Sequence, residues 1–191
     1  MDFDWRGDSL GELEERIWRR LGEAVGRPDD PWRTPVLASR STAGVSARVV
    51  VLRAVDAAAR QLVCHTDHRS PKVGQLRADP RVAWTFYDGP AAVQLRVEGP
   101  ARGEEAGEVV ERAWARVPEG SRRNYATRHP PGAVVARPPE AWDFTGELAR
   151  HFAVVVATVD HWDWLWLAPE GHRRAAFDWR SGGVRRHWRV P

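Results

Sequence analysis

Ala47 to Val55 reads ARVVVLRAV, Gln61 to Thr66 reads QLVCHT, and Ser70 to Ala78 reads SPKVGQLRA. The first two stretches are rich in β-branched residues and are joined by a small-residue link, which predicts two strands of a hairpin or meander. The third breaks that pattern. Serine at the N-cap, proline at the first helical position and apolar Val73 and Leu76 predict a short helix that Asp79-Pro80 ends. Alternation along the first stretch places Arg48 and Leu52 on one face and sends Arg53 to the other face or to the strand end.

Working outward, Ser9 and Glu12 stand at capping-box spacing and Leu10, Leu13, Ile17, Leu21 and Ala24 share one face, so Ser9 to about Val25 is an amphipathic helix. Gly26 to Pro35 is a breaker-rich loop leading to a short apolar strand, Thr34 to Ser39, and to the turn Ser41 to Gly44. Arg81 to Tyr87 and Ala92 to Val97 are strands around the turn Asp88-Gly89-Pro90. Gly103 to Val117 has helical periodicity with Val109, Val110, Ala113 and Trp114 directed inward, and Pro118 to Pro139 is a long excursion over the surface. Phe152 to Val159, Trp162 to Leu167, Arg174 to Trp179 and Val184 to Val190 form a terminal antiparallel meander with Gly182-Gly183 as its last turn. Short strands with helices inserted between them favour a mainly β (α+β) fold, an antiparallel closed or partly closed barrel with peripheral helices, over a parallel α/β sheet. The expected organisation is one domain: N-terminal helix and loop over 1–30, barrel core over 34–102, helical and loop excursion over 103–150, and C-terminal strands over 151–191.

The chain has 191 residues, 29 Lys+Arg against 26 Asp+Glu, and 42% hydrophobic residues, the balance of an ordinary soluble domain. A chain of this length buries about two thirds of its unfolded surface and needs no disulfide or metal to hold it together. Its only cysteine, Cys64, excludes an internal disulfide. No apolar run approaches the roughly 18 residues of a membrane span, and the opening MDFDWRGDSL is acidic where a signal peptide is basic and then apolar, so the expectation is a cytoplasmic protein without a membrane partner. A net charge of +3, mixed along every segment, argues against nucleic acid as a partner.

Of the 29 cations only Lys72 is a lysine. It stands at the predicted helix start Ser70-Pro71-Lys72, shortly after His65-Thr66. Free amides, the Ser70 hydroxyl and the ammonium there suit an anion, and Arg48 and Arg53 from the neighbouring strand complete a phosphate cradle. Bland readings stand beside this one: strand arginines are more often solvated or ion-paired, and Ser-Pro is a common cap without a ligand. His65 and His68 lack further ligands at metal spacing, Cys64 is most simply a small buried residue, and Trp162, Trp164 and Trp166 at period two form a core or interface stripe.

The runs RVVVLR, LVCHTDHRSPK, LRADPRVAWTF and QLRVEG, in this order and spacing, resemble the pyridoxamine 5'-phosphate oxidase-like FMN-binding split-barrel proteins over about Pro35 to Gly99. A looser resemblance returns at VDHWDWLWL and HRRAAF. The resemblance implies an FMN-dependent oxidoreductase acting on a small substrate, built as a homodimer with FMN at the subunit interface. Arg48 and Lys72, helped by Ser70, would hold the FMN phosphate. The strand from Arg48 through Val49, Val50, Val51 and Leu52 to Arg53 would run along the flavin and offer backbone hydrogen bonds. His65 and Thr66 would lie beside the phosphate and ribityl chain, Gln94 would contact the flavin, and Trp164 or Trp166 and Arg174 would come from the partner subunit.

The chain also departs from the family pattern. Pro71 stands where the family has a basic residue, for which Arg69 could substitute. His172 fits the histidine of an Arg-x-His pair that binds the vitamin phosphate, but Glu170 replaces its arginine, and Arg53 replaces a substrate-contacting lysine. Tyr125 and Arg128 in the excursion are reminiscent of a substrate-phosphate site. No side chain identifies itself as a catalytic acid or base, and His172 is the best candidate for substrate contact. The rival readings are a non-enzymatic flavin or haem carrier or sensor on the same barrel, and an arginine-rich nucleic-acid-binding barrel.

Overall fold

The structure, a computed structural model, describes residues 4–191. Helix α1 (Leu10–Val25) starts where Ser9 Oγ accepts the Glu12 amide at 3.3 Å, and it buries Leu13, Ile17, Leu21 and Ala24 along one face. Strands β1 (Val36–Ser41) and β2 (Gly44–Val49) pair as a hairpin with Ser41 opposite Gly44. Strands β3 (Leu52–Asp56) and β4 (Gln61–Asp67) pair next, followed by helix α2 (Pro71–Ala78) and the antiparallel strands β5 (Arg81–Asp88) and β6 (Val93–Glu104). Helix α3 (Glu108–Ala115) and a stretch of short helical turns lead to β7 (Phe152–Thr158), β8 (His161–Trp166), β9 (Arg173–Asp178) and β10 (Arg185–Arg189).

One path of strands runs β10-β9-β8-β6-β5-β1-β2, while β3, β4 and β7 form the other wall. Strand β6 belongs to both: Val93 to Glu98 pair with β8, and Ala101 to Glu104 pair with β7. Gly99 marks the corner, where an added Cβ would lie 1.9 Å from the Thr158 carbonyl oxygen. Only a residue without a side chain lets the two backbones approach this closely.

Alternation fills the space between the walls. Val82, Trp84 and Phe86 of β5, Leu95 and Val97 of β6, and Trp162 and Trp164 of β8 all point inward and are buried with Leu37, Leu52, Leu62 and Cys64. Helix α1 closes one end, and its Trp18 ring lies 4.6 Å from that of Trp162. Its Arg20 is buried and ion-paired to Asp30 at 2.7 Å and to Asp88 at 3.2 Å, so a charged tie joins α1 to the loop before β1 and to the β5–β6 turn. A smaller cluster of Val110, Val117, Phe152, Val154 and Val156 packs α3 against β7. No helix among the described residues is long and apolar enough to cross a membrane.

Two expectations are corrected. Ala47 to Val55 is two strands: Val50 and Val51 lie outside both ladders, β2 pairs with β1, and β3 pairs with β4 with a register shift between Leu52 and Ala54. Arg53 is the residue at that irregularity, which re-aims its side chain in the way a bulge does. The helix expected from Gly103 begins only at Glu108, because Gly103 and Glu104 are claimed by pairing with Val155 and Val154 of β7, far later in the chain. The resulting helix rotates Val109 outward, 37% exposed, and leaves Val110 as its buried residue.

Candidate functional site

Three half-buried cations gather where β2, β3, β4 and the start of α2 meet. Arg48 on β2 donates from Nη1 to Ser39 Oγ at 2.7 Å and the Leu37 carbonyl at 3.2 Å, and from Nη2 to Ser46 Oγ at 2.6 Å and Gln75 Oε1 at 2.9 Å. Lys72 Nζ donates to Thr66 Oγ1 at 2.9 Å and to Ser70 Oγ at 2.7 Å. Ser70 is the N-cap residue of α2, but its hydroxyl makes no cap bond and faces Lys72 instead. Arg53 has a buried Nε with no hydrogen-bond partner.

Among the described residues, neither Arg48, Arg53 nor Lys72 has an ion-pair partner, whereas most other arginines do. Burial holds Arg48 and Lys72 below their usual pKa ranges, and the Arg48 charge depresses Lys72 further. Partly desolvated cations held only by neutral acceptors raise a positive potential that an anion would relieve. Arg69 does not serve this site. Its guanidinium is bound to Asp67 at 2.7 Å and to the Thr127 carbonyl at 2.9 Å, so it pins the excursion to β4.

His65 packs edge-on against Phe152, ring centroids 5.0 Å apart, and burial followed by the Arg53 charge pushes its pKa down to about 4. It is therefore neutral at physiological pH. Between pH 6.5 and 4 the unfolded chain takes up a proton that folded His65 refuses, so stability falls as pH drops through that window. The wild type should lose up to about 3 kcal/mol more than His65→Gln across this range, read from urea midpoints at pH 7.5 and 4. Parallel pH profiles would place the imidazole in solvent. Neighbouring Cys64 is fully buried, and burial pushes its thiol up to about 12, so it stays a protonated apolar residue.

Gln94 and Arg174 lie elsewhere in the same chain. On the outward face of the long sheet, Gln94, Leu165 and Arg174 are successive cross-strand neighbours, and Arg174 forks onto Asp163 at 2.9 and 2.7 Å. Trp164 is on the opposite face, fully buried with its ring 5.8 Å from Trp5, so the residue in line with Gln94 and Arg174 is Leu165. Val49 is exposed on this outward face too, with Val36, Val45 and Tyr87. Tyr125 packs on Phe152 at 4.9 Å, and its hydroxyl is pushed above the usual tyrosine range by burial although the Arg53 charge opposes the shift. Arg128 is held by Asp143 at 2.6 Å, and His172 is exposed in the β8–β9 loop. Among the described residues, no hydrogen bond or ion pair joins Tyr125, Arg128 or His172 to the cation cluster.

A split antiparallel barrel with a hydroxyl-lined cluster of cations, unbalanced by carboxylates, at a helix start is the class these features define. A family model described as pyridoxamine 5'-phosphate oxidase matches residues 33–162, and the chain belongs to that family. It is 42% identical over 78 residues to a pyridoxine/pyridoxamine 5'-phosphate oxidase of Granulibacter bethesdensis, covering 39% of this chain and 36% of that one. It is 35% identical over 108 residues to the enzyme of the same name from Rubrobacter xylanophilus, covering 56% of this chain and 45% of that one. The matches thus span less than half the length of these relatives. Among solved structures, a pyridoxamine 5'-phosphate oxidase-related FMN binding protein from Nostoc punctiforme superposes with a TM-score of 0.79 at 17% identity, over 96% of this chain and 100% of that one. PhzG from Burkholderia lata, in complex with tetrahydrophenazine-1-carboxylic acid, superposes with a TM-score of 0.74 at 17% identity, over 98% and 95%. These likenesses establish the FMN-binding split-barrel fold.

The sequence reading missed Gln75, Ser39 and Ser46. Gln75 follows Lys72 by three positions and so shares its face of α2, a helical spacing visible in the sequence. The serines become neighbours of Arg48 only through the β1–β2 register, which sets Ser39 opposite Ser46.

Proposed function

We propose that the protein is an FMN-binding flavoprotein and an oxidoreductase acting on a small substrate. The observation that carries this reading is the cation cluster without carboxylate partners. Arg48 and Lys72 supply charge, and Thr66 and Ser70 supply hydroxyls beside it. Such a set fits a phosphate monoester, whose oxygens accept charge-assisted bonds. Val51, outside both ladders, offers its backbone groups to a flavin edge, whereas the Val50 amide is already bonded to the Pro35 carbonyl at 2.9 Å. Bound FMN would supply hydride or electron transfer at its ring system, while the chain holds and orients it. Neutral His65 and the Phe152 ring lie on the other face of β4 from Thr66 and add no charge there.

A second copy of the chain completes the proposed site. Val36, Val45, Val49 and Tyr87 are exposed together on the outward sheet face that also carries Gln94, Leu165 and Arg174. Burying that face in a homodimer removes apolar surface from water and brings the Gln94–Leu165–Arg174 row of one protomer toward the cluster of the other. The vitamin B6 phosphates are not favoured as substrate, since Arg128 is occupied by Asp143 and Glu170 stands where a cation is expected. The deciding measurement is an absorbance spectrum of purified protein with and without added FMN, alongside sedimentation analysis. Flavin bands on a dimer are expected; a colourless protein whose spectrum does not change with FMN overturns the reading.

A further inference from the structure

We infer that Gln75 is a positioning residue that holds Arg48 in place for a phosphate group while leaving its charge unspent, an inference that rests on the flavin-phosphate reading above. Arginine only donates hydrogen bonds, so the polarity of the whole network follows from it. Arg48 Nη1 donates a hydrogen bond to Ser39 Oγ at 2.7 Å, and the Ser39 hydroxyl donates in turn to Gln75 Oε1, also at 2.7 Å. Arg48 Nη2 reaches the same Oε1 at 2.9 Å and Ser46 Oγ at 2.6 Å. The Gln75 amide oxygen is therefore the common acceptor that ties a β2 arginine and a β1 serine to α2.

The chemistry of this anchor matters as much as its geometry. A glutamate at position 75 would reach the same donors but would pair with Arg48 and cancel its charge, as Asp67 does for Arg69 and Asp163 for Arg174. Gln75, Ser39, Ser46 and the Leu37 carbonyl fix the guanidinium fork with uncharged acceptors only. Gln75 lies one helical turn beyond Lys72, so α2 presents one phosphate cation and the anchor of the other from a single face. A rigid element that sets both charges spares the ligand the ordering cost of a flexible arginine.

The test compares FMN with riboflavin, which lacks the phosphate, by flavin-fluorescence titration of apoprotein. In Gln75→Leu, FMN affinity should fall about tenfold or more with riboflavin affinity unchanged, as expected for one charge-assisted contact. The near-isosteric Gln75→Glu should lower the FMN-to-riboflavin preference further. In an Arg48→Ala background, Gln75→Leu should have no additional effect. Equal losses for both flavins would make Gln75 merely structural, and an unchanged preference in Gln75→Glu would overturn the inference while leaving flavin binding intact. A wild type that binds FMN no better than riboflavin would overturn the phosphate reading and this inference together. Should Gln75→Leu fail to fold, Gln75→Glu carries the test, and in an Arg48→Ala background Gln75→Glu should have no additional effect.

Discussion

Replacing both Arg48 and Lys72 with alanine is expected to lower FMN affinity by at least about a hundredfold while leaving the fold intact. Each side chain offers a charge-assisted contact of about 1.5–3 kcal/mol to a phosphate oxygen. Every 1.4 kcal/mol is about a factor of ten, so two such contacts together come to about a hundredfold or more. The fold should survive with only a modest loss of stability, because neither cation neutralises an acid and the serine and threonine hydroxyls, carbonyl and amide left behind are neutral. Removing two neighbouring positive charges also relieves the repulsion by which Arg48 depresses Lys72. The measurements are FMN and riboflavin titrations with thermal melts of both proteins. A double variant that binds FMN like the wild type would show that the cluster is not the phosphate site.

Gly99→Ala should be the most damaging small substitution in the barrel, costing about 3 kcal/mol or more. The added methyl would meet the Thr158 carbonyl oxygen at 1.9 Å and the Asp160 amide nitrogen at 3.1 Å, both backbone atoms. Neither can swing aside as a side chain would. The Asp160 amide is bonded to the Glu98 carbonyl at 2.9 Å, and the Val159 amide to the Arg60 carbonyl at 2.8 Å, so the β7–β8 turn is held on both sides. Relief requires opening the corner at which β6 passes from one wall to the other. Gly103→Ala on the same strand is the control: its methyl meets only a Val73 methyl at 3.3 Å, which can shift, and the change should stay within about 1 kcal/mol. Denaturant unfolding compares the two, and equal midpoints would sink the corner argument.

Period and punctuation carried most of the secondary structure. Helix α1 and its buried face, the helix after Ser70-Pro71, and the terminal strands followed from 3.6- or 2-residue spacing, caps and breakers. The errors fell where distant pairing overrode local pattern. Gly103 and Glu104 resemble a helix start until β7 claims them, and nothing near Val50 announces that the chain leaves one wall for the other. The β-rich run still looked continuous because a strand change needs no breaker when extended backbone merely exchanges partners.

At the candidate site the sequence alone determined the residue types, the helix start beside Lys72 and the family resemblance, since these depend on composition and short spacing. It could not show that Arg48 and Lys72 lack acidic partners while Arg69 has one, because ion pairing depends on where side chains point after the sheets close. Tertiary structure alone decided that Ser70 faces Lys72 instead of capping its helix, that Gln75 anchors Arg48, and that Trp164 is core while Leu165 shares the face of Gln94 and Arg174. Local spacing sets which groups share an element face. Strand register and the meeting of separate elements set which of those groups are left with unbalanced charge.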